Sequence, residues 1–465
     1  MAGLDFLRTG AEDGTIEDSV AEICIDTGKA LGPIKMMNCV NNGPAKACSV
    51  QTRTNFKEFK ALEIPYARTH DSAHCHEYGG SHSVDISGIF PDFSKDPYDS
   101  ASYDFVLTDD YLKTMMEAGT EPFYRLGQSI ENWIKKYGAN PPSDFGKWAV
   151  VCEHIVRHYN EGWADGFHWN IKYWEIWNEP DDPPPPDTPS GQWTGTEEQF
   201  FELYGITASH LKKCFPDLKI GGPAHSVRMD WAERFLDYLT QHGAPLDFFS
   251  WHRYFVTPDY IPVEIREKRA LLDRHGFEKA ESILNEWNYV RGWTSDWVYS
   301  LRVESGDLNY KGAAFVAASM SVCQREALDM LMYYDARLNT AMNGMFDPVT
   351  LEPMRGYYPF AAWAKLRRLG MEVDCSCTGT DGLYATAAAS ADGRLGLLVT
   401  RYSDDDNISG HVALRISAKG RSLAGARCHM TDKVRMFTEV FPGAEEDGSV
   451  IVNMQPQSFL FLELD

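Results

Sequence analysis

Two short segments constrain this chain more than anything else in it. They are Tyr173-Trp174-Glu175-Ile176-Trp177-Asn178-Glu179-Pro180 and Ile283-Leu284-Asn285-Glu286-Trp287-Asn288. Each is an apolar and aromatic run that reads as a buried strand and ends abruptly in a carboxylate. Strands that deliver acids at their C-terminal ends are what a (β/α)8 barrel needs, because its active site lies on that face. Two acids from two strands are also the minimum equipment for cleaving a glycosidic bond.

The rest of the chain fits such a barrel. Between residues 31 and 370, short apolar runs alternate with longer amphipathic segments, the pattern of repeated βα units. Eight strands are predicted: Ile34–Val40, Ile64–Thr69, Glu121–Leu126, Ile171–Trp177, Leu218–Gly222, Phe248–His252, Ser282–Glu286 and Met330–Tyr334. Helices are predicted at Asp144–Tyr159, Glu197–Phe215, Trp231–His242, Val263–His275 and Lys311–Glu326. The connections His70–Leu107 and Asp181–Gly195 are long, the second stiffened by Pro183 to Pro186, and both follow strand C-termini. Long connections of this kind are usually functional, so both are expected to rim the site.

After residue 370 the texture changes. Leu383–Ala389, Leu395–Tyr402, His411–Ile416, Ser449–Asn453 and Phe459–Leu464 are β-rich and separated by Gly, Asp and Asn turns, so residues 371–465 read as a β-sandwich. Residues 1–30 are expected to lend this domain a strand at Val20–Asp26. The predicted fold is therefore an α/β (β/α)8 TIM barrel with an accessory β-sandwich.

Composition excludes some partners. The net charge of −23 repels nucleic acid and anionic membranes. No apolar run reaches the roughly 20 residues that span a bilayer. The start lacks the basic-then-apolar pattern of a signal peptide, and the ten Cys show no paired metal-ligand spacing. Together these favour a cytoplasmic location. Thirteen Trp and 22 Tyr suit a protein that stacks on sugar rings, although an aromatic-rich core needs them too.

Strand alternation puts Glu175, Trp177 and Glu179 on one side of the fourth strand, with Leu284 pointing inward on the seventh. Glu175 falls deep in the barrel, where a lone carboxylate is costly, so it is read as structural and paired with Arg68 or Arg125. Glu179 and Glu286 lie at the mouth as the candidate catalytic pair. Arg68 and His70, at the second strand end, are candidates for substrate binding, as is Trp287 beside Glu286. His70, His74, His76, Glu77 and His82 form a dense cluster without helical ligand spacing. It is read as substrate-binding or structural, and no metal or other cofactor is expected.

The segment Trp174–Pro180 resembles the acid/base motif of the clan A glycoside hydrolases, in which the acid/base follows strand four and the nucleophile strand seven. Tyr66-Ala67-Arg68-Thr69-His70, the segment Phe215–Pro223 and Phe248-Phe249-Ser250-Trp251-His252-Arg253-Tyr254 are similar to glycoside hydrolase family 39, the family of β-xylosidases and α-L-iduronidases. The resemblance spans roughly residues 20 to 370 and implies a retaining double displacement on a glycoside or oligosaccharide, with Glu286 as nucleophile and Glu179 as acid/base. It further implies that Asn178 hydrogen-bonds the sugar 2-hydroxyl, that Tyr254 hydrogen-bonds the nucleophile, and that His252 stands beside them. Where many clan members carry a Trp after strand eight, this chain has Tyr334-Asp335-Ala336-Arg337. Tyr334 is then a replacement floor for the sugar, and Asp335 and Arg337 are contacts to its hydroxyls or carboxylate. Arg253 is a further candidate for a uronate.

An exo-acting, β-xylosidase-like enzyme is the leading expectation. The alternatives are an arabinosidase, glucosidase or α-L-iduronidase-like specificity, or a carbohydrate-binding barrel without catalysis. The trailing domain is a candidate for assembling a homo-oligomer, with no interface readable in its sequence.

Overall fold

A computed structural model describes residues 16–45, 54–70, 83–128, 139–182, 191–338 and 342–465. Eight parallel strands close a barrel in chain order: β2 (Met36–Asn41), β3 (Tyr66–Arg68), β4 (Glu121–Leu126), β5 (Tyr173–Ile176), β6 (Lys219–His225), β7 (Phe248–His252), β8 (Glu281–Trp287) and β9 (Met330–Tyr333). β1 (Ile16–Pro33) precedes them and lies in the second domain. The strands read as unbroken apolar runs because both their faces are covered. One face fills the barrel with Cys39, Phe123, Tyr173, Phe248, Ile283, Met330 and Met332. The other packs under the helices, with Trp174, Ile176, Trp251, Leu284, Trp287 and Tyr333 among its members.

Leu284 was expected inside the barrel and lies instead in the helix layer, while Ile283 points in. The cause is a bulge. Trp251 pairs with Leu284 but His252 pairs with Glu286, so Asn285 is an extra residue in β8. A bulge re-aims the side chains that follow it. Here it lets Asn285 and Glu286, consecutive in sequence, both reach the barrel interior, where their partners are Glu175 and Arg68.

The predicted helices form at Phe145–Glu161, Glu197–Cys214, Met229–His242, Ile261–Arg274 and Asn309–Cys323. Asp144 caps the first by accepting from Lys147 N at 2.9 Å, and Gly162 ends it at φ 75°. Thr196 and Gln199 form a reciprocal capping box on the second. Helices also form at Phe56–Ala61, Ile86–Ile89, Val106–Glu117, Trp297–Glu304 and Tyr358–Leu369. The described part of the His70–Leu107 connection is therefore less irregular than its composition suggests. No helix among the described residues is long and apolar enough to cross a membrane.

The second domain is one ten-stranded sheet. Besides β1 it contains β10 (Met371–Thr378), β11 (Leu383–Ala389), β12 (Leu395–Arg401), β13 (His411–Ala418), β14 (Arg427–Thr431), β15 (Thr438–Val440), β16 (Gly443–Ala444), β17 (Val450–Met454) and β18 (Ser458–Leu464). β1 joins its two halves, running antiparallel to β10 and parallel to β13. The sheet folds over itself, so that Ile23 of β1, Leu397 of β12, Leu414 of β13, Val452 of β17 and Leu462 of β18 share one apolar core. Its other face lies on the barrel, where Leu398, Tyr402, Phe459 and Phe461 enter the helix-layer core. β12 is covered on both sides, which explains its continuous apolar run.

The eight described cysteines are free, and Cys375 and Cys377 both pack at the core of the sheet. Burial pushes the Cys39, Cys377 and Cys428 thiols up to about 12. Cys39, Cys377 and Cys428 are therefore expected to react slowly with a thiol reagent in the native protein, and the denatured protein to titrate fully without reductant. A thiol pair that stays protected after denaturation contradicts this.

Candidate active site

The C-terminal ends of the barrel strands converge on two carboxylates. β5 ends at Ile176, and the backbone then turns sharply, with Trp177 at φ 74° and Glu179 at φ 45°. Left-handed conformations at non-glycine residues cost roughly 1–3 kcal/mol each and persist only where the surroundings impose them. Here Trp177 N donates to Leu126 O at 2.8 Å and Glu179 N to Ala224 O at 3.0 Å. The turn breaks strand alternation. Trp177, expected on the side of Glu175 and Glu179, packs outward against Trp148 and Trp193 and donates its indole N–H to Gln192 O.

Glu286 accepts a hydrogen bond from the Tyr254 hydroxyl at 2.6 Å through Oε1. Its Oε2 lies 3.3 Å from an Arg68 guanidinium nitrogen and 3.4 Å from His252 Nδ1. His252 Nδ1 is also 2.7 Å from Glu179 Oε1. One oxygen of each carboxylate and the histidine nitrogen thus all lie within 4.8 Å of one another. Burial raises the Glu286 carboxyl above its usual range, against the lowering effects of His252, Arg68 and the Tyr254 hydrogen bond. Burial lowers His252 to about 4, so the imidazole between the two acids is neutral at pH 7.

Beneath them Arg68 acts as a hub. Its Nε donates to Glu175 Oε2 at 2.6 Å, and its two terminal nitrogens reach Asn41 Oδ1 at 3.2 Å, Glu286, and Asn178 Oδ1 at 2.6 Å. Asn285 Nδ2 donates to Glu175 Oε1 at 2.5 Å, and Asn41 Nδ2 to Asn285 O at 2.8 Å. The partner of Glu175 is therefore Arg68, while Arg125 pairs with Asp85 at 2.6 Å. Asn41 and Asn285 belong to this network, and the sequence reading missed them. Their one signal is a polar residue at a strand end that otherwise reads as apolar.

His70 is fully buried, and burial together with the nearby Arg68 and Arg125 charges holds it well below its ordinary value, hence neutral. On the β9 side Arg337 donates to Asp335 Oδ2 at 2.5 Å and to the Tyr334 hydroxyl at 2.8 Å, and Asn42 Nδ2 donates to Asp335 at 3.2 Å. Two candidates do not face the mouth. Trp287 is fully buried between Phe315 and Tyr333, because the bulge that turns Glu286 inward turns the next residue out. Arg253 pairs with Glu264 at 3.2 Å.

Asn178 Nδ2 and His252 Nε2, both beside the two carboxylates, are buried polar atoms without a hydrogen-bond partner. His74, His76, Glu77 and His82 lie outside the described residues, as does the Pro183–Pro186 run. Among the described residues, two groups are compact enough to ligate a cation. One is Glu179, His252 and Glu286. The other is Glu153, His210 and Cys214, where Arg157 already occupies Glu153 Oε1 at 2.7 Å.

A sequence model of the glycosyl hydrolases family 39 matches residues 26–321. The chain belongs to that family. A β-xylosidase of Caldicellulosiruptor saccharolyticus is 27% identical over 249 residues, which are 50% of this chain and 46% of that protein. The chain thus aligns with about half the length of this relative. Among solved structures, a glucosidase from Croceicoccus marinus superposes with a TM-score of 0.76 at 22% identity, covering 96% of this chain and 99% of the other. A monomeric β-xylosidase from Caulobacter crescentus CB15 superposes with a TM-score of 0.68 at 16% identity, over 96% and 99% of the two chains. At these identities the superpositions establish the shared fold, barrel and trailing sheet together.

Proposed function

We propose that the protein is a retaining exo-glycoside hydrolase of the β-xylosidase type. The observation that carries this reading is the approach of Glu179 and Glu286 within 4.8 Å through one oxygen each. Retaining enzymes hold their two carboxyls about 5–5.5 Å apart, whereas inverting enzymes need about 6.5–9.5 Å to admit a water between them.

In the first step Glu286 attacks the anomeric carbon while Glu179 protonates the departing glycosidic oxygen. In the second, Glu179 deprotonates a water that displaces Glu286 from the glycosyl-enzyme. Arg68 and Tyr254 hold Glu286 in one orientation through both of its oxygens. Neutral His252 is a hydrogen-bond partner for Glu179 that adds no charge of its own. Asn178, with Oδ1 held by Arg68, has Nδ2 left to donate to the sugar 2-hydroxyl, a contact that strengthens as the transition state develops.

The relatives support a neutral sugar, their names including β-xylosidases and a glucosidase. So does Arg337, whose charge is matched by Asp335, leaving no unbalanced cation there for a uronate. Exo action is inferred from the long connections after the second and fourth barrel strands. A cytoplasmic location is proposed from the free thiols.

A panel of nitrophenyl glycosides, with NMR of the first-formed anomer, tests the reading. A β-xyloside is expected to be cleaved fastest and to give the β-anomer first; the α-anomer first excludes retention. Glu179→Ala is expected to slow a poor leaving group about 10²–10⁴-fold more than an activated aryl glycoside, since only the former needs protonation. Equal losses on both remove Glu179 from the acid/base role.

A further inference from the structure

The connection between β8 and the helix Trp297–Glu304 carries an aromatic surface that the mechanism above does not use. Trp293 is 58% exposed, the largest side chain so displayed beside the site. Its ring meets Tyr254 edge-on at 4.9 Å and stacks on Trp297 at 5.6 Å with an interplanar angle of 21°. Tyr254 is the residue that donates to Glu286, so Trp293 stands one ring outward from the nucleophile. An indole stacked on Trp297 and still more than half exposed keeps ring surface open to solvent at the rim. The apolar C–H face of a pyranose packs on such a ring.

This connection is not held by the barrel alone. The segment after β12 sends Asp404 into it from the sheet domain, and Asp406 to the helices Trp297–Glu304 and Asn309–Cys323 that follow. Asp404 accepts from the Tyr289 hydroxyl at 2.5 Å and from Arg291 at 3.1 Å. Fully buried Lys311 reaches Asp404 Oδ1 at 2.9 Å, Asp406 Oδ1 at 2.8 Å and the Tyr299 hydroxyl at 2.7 Å. Arg291 also lies 3.8 Å over the Tyr299 ring. Two carboxylates of the sheet domain thus pair with Arg291, two residues before Trp293, and with Lys311 of the helix Asn309–Cys323.

We infer that Trp293 is the stacking surface for the leaving-group sugar, and that Asp404 and Asp406 are positioning residues that hold it there. The inference rests on the exo reading, in which the terminal sugar fills the pocket and the next ring lies at the rim. It also assigns the sheet domain a part in selecting the leaving group.

The test compares xylobiose, whose leaving group is a sugar ring, with β-xylosyl fluoride, whose leaving group has no ring. If the glycoside panel selects a glucoside, cellobiose and β-glucosyl fluoride replace them. Trp293→Ala is expected to lower kcat/KM at least tenfold more for the disaccharide than for the fluoride, mostly through KM. Trp293→Phe should recover most of that loss. Asp404→Asn should shift the same ratio in the same direction by a smaller factor and alter tryptophan emission. Equal factors on both substrates reduce Trp293 to a cover for Tyr254 and overturn the inference. In a Glu286→Gln background, calorimetry with the disaccharide reads the same contact without turnover. There, unchanged affinity on adding Trp293→Ala overturns it independently. Wild-type protein that hydrolyses neither substrate refutes the proposed activity instead.

Discussion

Glu286→Ala is expected to lower hydrolysis by about 10⁴-fold or more, the scale on which removal of an attacking nucleophile acts. Azide should restore part of the turnover by entering the vacated space, giving a glycosyl azide of inverted configuration relative to the substrate. A fluorinated glycoside should label Glu286 and no other residue. Labelling at Glu281 would refute the assignment, and the geometry argues against it. Glu281 lies at the opposite end of β8, tied to the Tyr173 hydroxyl at 2.9 Å and to Lys219 at 3.1 Å. The nucleophile must be ionised, and burial raises its pKa. The acidic limb of kcat/KM should therefore lie above the ordinary Glu value of about 4.3, with activity falling as pH drops through it. Tyr254→Phe removes a hydrogen bond that favours the charged form, so that limb should move further up. A limb left in place by Tyr254→Phe would mean that it reports another group.

How much of this was legible in the sequence follows from what each signal depends on. Apolar runs of strand length, with amphipathic segments between them, located all eight barrel strands, because burial on both faces leaves that pattern whatever the details of packing. Glu179 and Glu286 stood out because a carboxylate ending an apolar run is costly unless it has a use. What failed was alternation at the strand ends. Trp177 was placed inside by counting in twos, but a left-handed backbone at that residue turns it outward. Leu284 was misplaced by the single extra residue at Asn285. Neither feature has a strong local signature, since neither residue is a glycine. Both occur where the chain departs from regular strand geometry to aim a catalytic side chain. The partner of Glu175 was also undecidable, because Arg68 and Arg125 stand at equivalent places on adjacent strands. Only the closed barrel shows that Arg68 has Glu175, Asn178 and Glu286 within reach while Arg125 turns to Asp85.

Arg68→Met is expected to damage both stability and catalysis. Arg68 and Glu175 have no exposed side-chain surface, and removing one partner of such a buried pair costs about 3–5 kcal/mol, because the other charge stays buried without compensation. Asn285 Nδ2 remains on Glu175 as a neutral donor and offsets only part of this. Glu286 loses a nearby cation in the same substitution, so its acidic limb should move up and kcat/KM at neutral pH should fall. Asn178 loses the anchor on its Oδ1 as well. Glu175→Gln should be milder in both respects, since Arg68 keeps Glu286, Asn41 and Asn178. The decisive measurement is the double variant Arg68→Met with Glu175→Gln, compared with each single one in thermal melts. If the cost comes from the stranded charge, neutralising Glu175 should recover a large share of the stability lost with Arg68. Activity should stay low, because Glu286 and Asn178 remain unsupported. A double variant that loses the sum of the two single effects would show that the pair is not coupled. The hub would then act only by filling space in the barrel.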